Sequence, residues 1–202
     1  MIGGDNSKWL GLLGLTLTGV AALAAWHRRP RPSSTSHLKA GRLWEYDILP
    51  DKGTEQVEIL EVFRLPDGRE AFRVEYRRHD SELDAVFSSD EKGRVIQLNQ
   101  SGDNATFDPP LVGLGELRVG AYWITRSAMI LPSKFRASAP TEVSGRVVGY
   151  ETVTVPAGTF KAFRIDAVTN GRASTGWHAP GWGLVREVSW EEELVLRRVV
   201  DR

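Results

Sequence analysis

His178 lies between two tryptophans, Trp177 and Trp182, around the turn pair Pro180-Gly181. A neutral imidazole offers one hydrogen-bond donor and one acceptor, and indole rings supply a large apolar area. Such a group could line the mouth of a concave sheet and hold an apolar ligand, with a hydrogen bond to the polar end of that ligand. The plainer alternative, which the residue types favour, places both tryptophans in the core and His178 at a surface or cross-strand position. The hypothetical ligand-binding set is Trp177, His178, Trp182, Trp123 and Phe107.

A second polar group is the segment His79-Asp80-Ser81-Glu82-Leu83-Asp84. In a strand, Asp80, Glu82 and Asp84 would share one face and could present oxygen ligands to a divalent cation. The segment lacks the fixed glycine and the spacing of a calcium-binding loop. A solvated hairpin is therefore the favoured interpretation, and no metal site is predicted.

Sequence motifs for catalysis are missing. The chain has no Gly-x-Ser-x-Gly elbow, no phosphate-binding loop, no His-Glu-x-x-His helix and no dinucleotide fingerprint. His27 and His37 precede the predicted domain, which leaves His79 and His178 as its only histidines. We therefore expect no enzymatic activity and no cofactor; a hydrolase or a metal enzyme is the least favoured alternative.

Alternating apolar and polar residues predict strands through most of the chain after residue 39. In Ala71–Arg78, Phe72, Val74 and Tyr76 alternate with charged residues, which is the pattern of a strand with one face buried and the other solvated. Val155-Pro156-Ala157-Gly158 and Ala179-Pro180-Gly181-Trp182 have the composition of type I and type II turns. The predicted strands are Leu43–Ile48, Gln56–Leu65, Ala71–Arg78, Leu83–Phe87, Arg94–Gln100, Tyr122–Ala128, Val143–Val155, Lys161–Val168, Arg172–His178, Leu184–Trp190 and Glu192–Val200.

Two segments interrupt this alternation of apolar and polar residues. Residues 101–120 contain Asp108-Pro109-Pro110 and the glycines Gly113, Gly115 and Gly120, and they are predicted to form a lid, a binding loop or a disordered stretch. Residues 129–138 are ambiguous between a strand and a short helix, and Pro132 disfavours a long helix. The fold class is therefore all-β: a single curved antiparallel sheet or half-barrel of about 10–12 strands.

Charge argues against nucleic acid as a partner. The chain has 26 basic and 26 acidic residues, and its first 38 residues contain four of the basic residues and one of the acidic ones. Residues 39–202 therefore carry 22 basic and 25 acidic residues, which gives no basic surface for a phosphate backbone. Cysteine is absent, which excludes disulfides, thiolate nucleophiles and an acylated lipoprotein cysteine.

The amino-terminal segment resembles a membrane anchor. Trp9–Trp26 is an uncharged run, rich in Leu, Gly and Ala, and long enough to cross a bilayer core of about 30 Å. It could be an uncleaved transmembrane helix, which we favour, or a signal segment cleaved after Ala22-Leu23-Ala24. The predicted organisation is an anchor or signal at 1–27, a Pro/Ser-rich basic linker at 28–38 and a β-sheet domain at 39–202.

The segments Leu117–Trp123, Val155–Phe160 and Trp177–Val185 together resemble a loose group of bacterial envelope proteins of unknown function. That resemblance covers about residues 115–190 and implies a small exported or lipid-anchored domain with a curved antiparallel sheet, similar to the half-barrel of lipoprotein carriers. The chain departs from the group at His178, where Tyr or Phe is common, and at Trp182, where a small apolar residue is common. It also lacks the lipid-acceptor cysteine that many members carry.

The location of the domain is the point on which these observations disagree. Arg28, Arg29 and Arg31 follow the apolar run and outweigh Lys8 before it, which favours a cytoplasmic domain by the positive-inside rule. The resemblance implies an extracytoplasmic domain and is given more weight. The predicted function is a membrane-tethered or exported, non-catalytic β-domain that binds an apolar or amphipathic ligand. The alternative is a structural or assembly subunit of an envelope complex.

Overall fold

Twelve antiparallel strands make up the computed structural model, which describes residues 39–50, 53–79, 81–89, 95–100, 105–113, 117–131 and 137–202. The predicted anchor and linker lie outside these residues. Within them, no helix is long and apolar enough to cross a membrane. The strands are β1 Arg42–Leu49, β2 Gly53–Arg64, β3 Glu70–Arg78, β4 Ser81–Ser89, β5 Val95–Gln100, β6 Ala105–Val112, β7 Tyr122–Leu131, β8 Ala137–Val155, β9 Gly158–Thr169, β10 Arg172–Ala179, β11 Gly183–Ser189 and β12 Glu193–Asp201.

The sheet closes into a barrel. Each strand pairs with the strands before and after it in sequence, and β1 also pairs with β12, from Arg42 opposite Asp201 to Leu49 opposite Glu193. The all-β antiparallel prediction is thus confirmed, but the open sheet or half-barrel is wrong. Closure results from pairing between the first and last strands, which local alternation of residues does not report.

The interior of the barrel is filled by one large apolar cluster. Alternate residues of the strands supply it, as the two-residue period of a strand requires. In β3, Phe72, Val74 and Tyr76 are buried in this cluster, as predicted, and in β1 Trp44, Tyr46 and Ile48 join them. We call this set of buried residues the main core.

The predicted loop at 101–120 contains a strand, β6, which was not predicted because its two prolines are typical of a loop. Pro109 and Pro110 occupy the part of β6 that pairs with neither neighbour, because β5 pairs with residues 105–106 and 111–112 and β7 pairs with residues 106–108. Their missing N–H groups therefore cost no ladder hydrogen bond. On either side of the prolines, Phe107 and Leu111 are buried in the main core.

A bulge in β2 changes which residues face the core. The register with β3 shifts between Ile59 and Glu61, so that Val62 lies opposite Phe72 and packs against the main core. In Gln56–Leu65, uninterrupted alternation would predict Phe63, not Val62, on the same face as Ile59, and that prediction is wrong. The extra residue reverses the alternation beyond it.

The hairpin between β8 and β9 extends past the end of β10. Phe163 is the first β9 residue that pairs with β10, so the β9 residues before it have no partner on the β10 side. We call residues 150–162, the part of the hairpin beyond this point, the arm. The arm contacts β11 and β12. The N–H of Ala157 at its tip donates to the carbonyl of Leu196 at 3.0 Å, and Phe160 meets the ring of Trp182 edge-on at 5.3 Å.

Three hydrogen bonds outside the ladders close the seam between β11 and β12. These strands pair only over Arg186–Val188, and they separate beyond that point. In the separated part, the Tyr46 hydroxyl donates to the carbonyl of Leu184 at 3.0 Å, and the Trp44 indole donates to the carbonyl of Trp182 at 2.7 Å. Together with the bond from Ala157 to Leu196, these contacts replace the missing ladder.

The two ends of the barrel differ in what they connect. The described chain begins at Lys39 and ends at Arg202 on one rim, where the N–H of Arg202 donates to the carbonyl of Gly41 at 2.9 Å. Because the strands alternate in direction, this linker-side rim also carries the turns 65–69, 156–157 and 180–182 and the segment 117–121. The far rim carries the turns around residues 50, 79, 170 and 190.

Candidate functional site

His178 is fully buried on the inner face of β10, with 0% of its surface exposed. It lies opposite Phe163 of β9 and opposite Leu184 of β11, where a register shift follows Trp177. Neither Nδ1 nor Nε2 has a hydrogen-bond partner among the described residues. Burial lowers the pKa of His178 to about 3, so that the ring is neutral at physiological pH.

A small apolar cluster adjoins His178. Val147 and Ile165 are fully buried at its centre, and Phe163 and Trp123 pack against them. The Trp123 ring lies over Gly145, where a Cβ atom would approach the ring to 2.1 Å. The indole nitrogen of Trp123 is also buried and lacks a hydrogen-bond partner in the described part of the chain. We call Trp123, Val147, Phe163, Ile165 and His178 the His178 cluster.

The structure places Trp177 and His178 on opposite faces of β10, as adjacent strand residues must be. The Trp177 indole donates to a Glu151 carboxylate oxygen at 2.6 Å, and the Arg186 guanidinium lies 4.9 Å from its ring centroid. Arg186 in turn pairs with Glu193 at 2.7 Å. Trp177 also packs against the main core, as the plainer alternative expected, on the face of β10 opposite His178.

Trp182 belongs to the turn after β10. Its N–H donates to the carbonyl of Ala179 at 3.0 Å, and Gly181 has a φ of +83°, which matches the predicted type II turn. The Trp182 ring is 46% exposed and touches Phe160 of the arm. Phe107 lies in the main core opposite Met129 of β7. Of the hypothetical set, the structure thus brings Trp123 into the cluster that adjoins His178, whereas Trp177 and Trp182 lie elsewhere.

A buried ion cluster near the far rim was not anticipated from the sequence. Arg78 bonds Glu55 at 2.5 Å through Nε and Glu192 at 2.6 Å through Nη2, which joins β2 and β3 to the start of β12. Burial raises the pKa of the Glu55 carboxyl, and the charge of Arg78 opposes that shift. Glu55 lies two residues before Val57 and four before Ile59, so the two-residue period of a strand places all three on one face. This spacing could have indicated the inward position of Glu55.

Tyr46 and Tyr76 lie close to these charges inside the barrel. Burial is the main cause that raises the pKa of both hydroxyls, and the nearby Glu55 carboxylate adds to it. Both hydroxyls therefore stay protonated, and that of Tyr46 is already used by the carbonyl of Leu184. The arrangement stabilises the barrel from inside and supplies no general base next to a nucleophile.

The acidic segment that leads into β4 gives no metal site in the described residues, among which no group of three or more His, Asp or Glu side chains could hold a metal ion. Glu82 and Asp84 lie opposite Arg77 and Glu75 on β3. Asp80, the third carboxylate of the predicted group, lies outside the described residues. His79 is exposed at the turn.

The fold is shared with solved bacterial proteins. A predicted lipoprotein of Parabacteroides distasonis ATCC 8503 is 14% identical, matches with a TM-score of 0.51, and the match covers 80% of this chain and 96% of that one. A predicted exported protein with a YmcC-like fold from Bacteroides fragilis NCTC 9343 is 15% identical, with a TM-score of 0.52 and coverage of 81% and 97%. Neither a protein-family model nor a curated protein matches the chain. At this level of identity the two structures establish a common fold.

Proposed function

We propose that this chain is a membrane-tethered or exported, non-catalytic β-barrel domain that binds a small amphipathic ligand at the His178 cluster. The observation that carries the proposal is the imidazole itself, fully buried beside apolar side chains with both nitrogens lacking partners in the described structure. A buried polar group without a hydrogen bond costs about 1–3 kcal/mol. A polar ligand atom bonded to His178 would recover that cost.

The location is inferred from two observations. The uncharged run Trp9–Trp26 has the length and composition of a membrane anchor. The fold is also that of two proteins whose names describe one as a lipoprotein and the other as exported. Together they support an extracytoplasmic domain that is either tethered by its amino-terminal segment or released after cleavage.

The electrostatics of His178 restrict the class of ligand. Because the ring is neutral, it offers one donor and one acceptor but no positive charge. A carboxylate would therefore have to be buried without a counter-ion, which costs far more than the hydrogen bond returns. The polar end of the ligand should be a hydroxyl, carbonyl or amide, joined to an apolar chain that packs on Phe163, Ile165 and Trp123.

Access requires movement of the packed side chains. Leu117 and Ala121, which precede β7, pack against the same cluster, so this short segment covers it near the linker-side rim. We expect a ligand to reach His178 when these side chains separate. That conformational change should slow association of the ligand.

The test is nitrogen NMR of the full chain in lipid nanodiscs with ¹⁵N-labelled histidine, using 1-dodecanol, dodecanoate and dodecane as probes. The chain has four histidines, and the His178→Gln variant assigns the signal of interest. We expect dodecanol to shift the His178 nitrogens and dodecanoate to leave them unchanged. Dodecane, which has no polar end, should leave them close to their free values. The proposal is wrong if saturating dodecanol does not move either nitrogen.

A further inference from the structure

Exposed large apolar side chains are concentrated on the linker-side half of the barrel. Tyr122 is 78% exposed at the start of β7, and Val119 precedes it in the turn. Tyr150 is half exposed on the arm and contacts the Phe163 ring at a tilt, with 4.5 Å between the ring centroids, and Trp182 is half exposed in the turn after β10. We call Val119, Tyr122, Tyr150 and Trp182 the rim patch. Tyrosine and tryptophan of this kind are enriched at the level of lipid headgroups.

The chain outside the described residues leads from this same rim. Lys39 begins the described structure there, and the predicted linker at 28–38 joins it to the apolar run that ends at Trp26. A linker of that length spans at most about 40 Å when fully extended. If Trp9–Trp26 stays in a bilayer, the linker-side rim is the part of the barrel held close to the lipid surface.

The linker-side half of the barrel also exposes basic residues. Arg118 and Lys161 are exposed there, and Lys39 pairs with Asp201 at 3.9 Å. The far rim also exposes Leu49 and Trp190, but the Arg172 guanidinium covers the Trp190 ring at 4.5 Å. Glu191–Glu193 follow Trp190 in the chain, and two of them are paired, Glu192 with Arg78 and Glu193 with Arg186. Anionic lipid would attract the exposed Arg118 and Lys161.

From these observations we propose that the rim patch docks on the surface of the bilayer that anchors the chain, with its aromatic rings at headgroup level. The inference rests on the tether in the proposed function and adds an orientation to it: the linker-side rim faces the lipid and the far rim faces away. It also places the segment 117–121, which covers the His178 cluster, next to the lipid. An amphipathic ligand could then pass from the bilayer to the cluster without crossing water.

The chain contains no cysteine, so a single introduced thiol can be labelled specifically. Val119→Cys and, as the far-rim control, Glu191→Cys each introduce a single thiol for an NBD fluorophore. The full chain is reconstituted in 4:1 phosphatidylcholine–phosphatidylglycerol vesicles with and without doxyl-labelled lipid. We expect quenching at position 119 to exceed that at position 191 by at least about twofold. In the Val119→Cys background, Tyr122→Ser should reduce this difference, and Val168→Ser, which removes an exposed valine outside the rim patch, should not.

The outcomes separate docking from tethering. If the chain resists alkaline extraction from the vesicles but the two positions are quenched equally, the docking is wrong and the tether stands. Release of the chain by alkali shows that the tether is wrong, and the docking fails with it. A photocrosslinker at position 119 that captures one defined protein in native membranes, without lipid quenching, would overturn the docking in favour of a protein partner.

Discussion

An imidazole without hydrogen bonds inside an apolar cluster makes the fold sensitive to acid. The pKa of His178 falls from an ordinary value of 6.5 to about 3 in the folded chain because burial disfavours the charged ring. Between these values the unfolded chain binds a proton that the folded chain does not. The contribution of His178 is therefore complete above pH 6.5 and is lost as the pH falls towards 3.

We accordingly expect the free energy of unfolding to decrease by about 2 kcal/mol between pH 6.5 and pH 4.5 through this one group. Urea unfolding followed by circular dichroism at several pH values measures it. The His178→Leu variant should lose this part of the acid dependence, whereas the exposed His79→Leu should keep it. Parallel pH profiles for wild type and His178→Leu would show that His178 is not the group responsible.

The sequence pointed to His178 as a candidate residue but did not predict its surroundings. Alternation along β10 could have separated Trp177 from His178, since neighbours in a strand point to opposite faces. The packing of Trp123 on Gly145 and of Phe163 opposite His178 depends on how β7, β8, β9 and β10 align. Those registers are set by pairing between strands, which no single segment encodes.

Among the secondary-structure elements, the far rim is held together by the ion cluster of Arg78, Glu55 and Glu192. Arg78 ends β3, Glu55 lies near the start of the neighbouring β2, and Glu192 precedes β12 on the other side of β1. The side chains of all three are at most 17% exposed. Removing the cation would leave buried carboxylates without a counter-charge, which is the costly way to break an ion pair.

Arg78→Met should therefore lower the free energy of unfolding by about 3–5 kcal/mol in urea titrations. Arg126→Met is the matched control, because Arg126 pairs with Glu142 on the exposed surface, where the two side chains are 74% and 52% exposed. That change should cost less than about 1 kcal/mol. Adding Glu55→Gln to Arg78→Met should recover part of the loss. Equal costs for Arg78→Met and Arg126→Met would contradict the role of burial.

The strands themselves were largely predictable, and the exceptions have local causes. Period-two alternation located eleven of the twelve strands. The missed strand, β6, contains Pro109 and Pro110, which normally indicate a loop and are tolerated here because both lie outside the paired parts of β6. The bulge after Ile59 reversed the faces of β2, and a single extra residue leaves no mark in the composition.

For the molecule as a whole, closure of the barrel was the feature that sequence reasoning missed. The number of strands was within the predicted range, but the residues of β1 and β12 that pair are separated by nearly the whole domain. The ladder of backbone hydrogen bonds around the barrel is also incomplete, because β11 and β12 separate beyond their short paired region. The side chains of Trp44 and Tyr46 and the tip of the arm bridge that gap.

Because these bridges replace a ladder, the barrel should be locally weakened when one is removed. Tyr46→Phe leaves the carbonyl of Leu184 without its donor in a buried position, and we expect a loss of about 1–3 kcal/mol. Tyr150→Phe, which removes an exposed hydroxyl, should be close to neutral. Hydrogen exchange should show faster exchange confined to the separated part of β11 and β12, with β3 and β4 unchanged. Uniform acceleration across all strands would mean that Tyr46 contributes only to global stability, and that the seam is no weaker than the rest of the barrel.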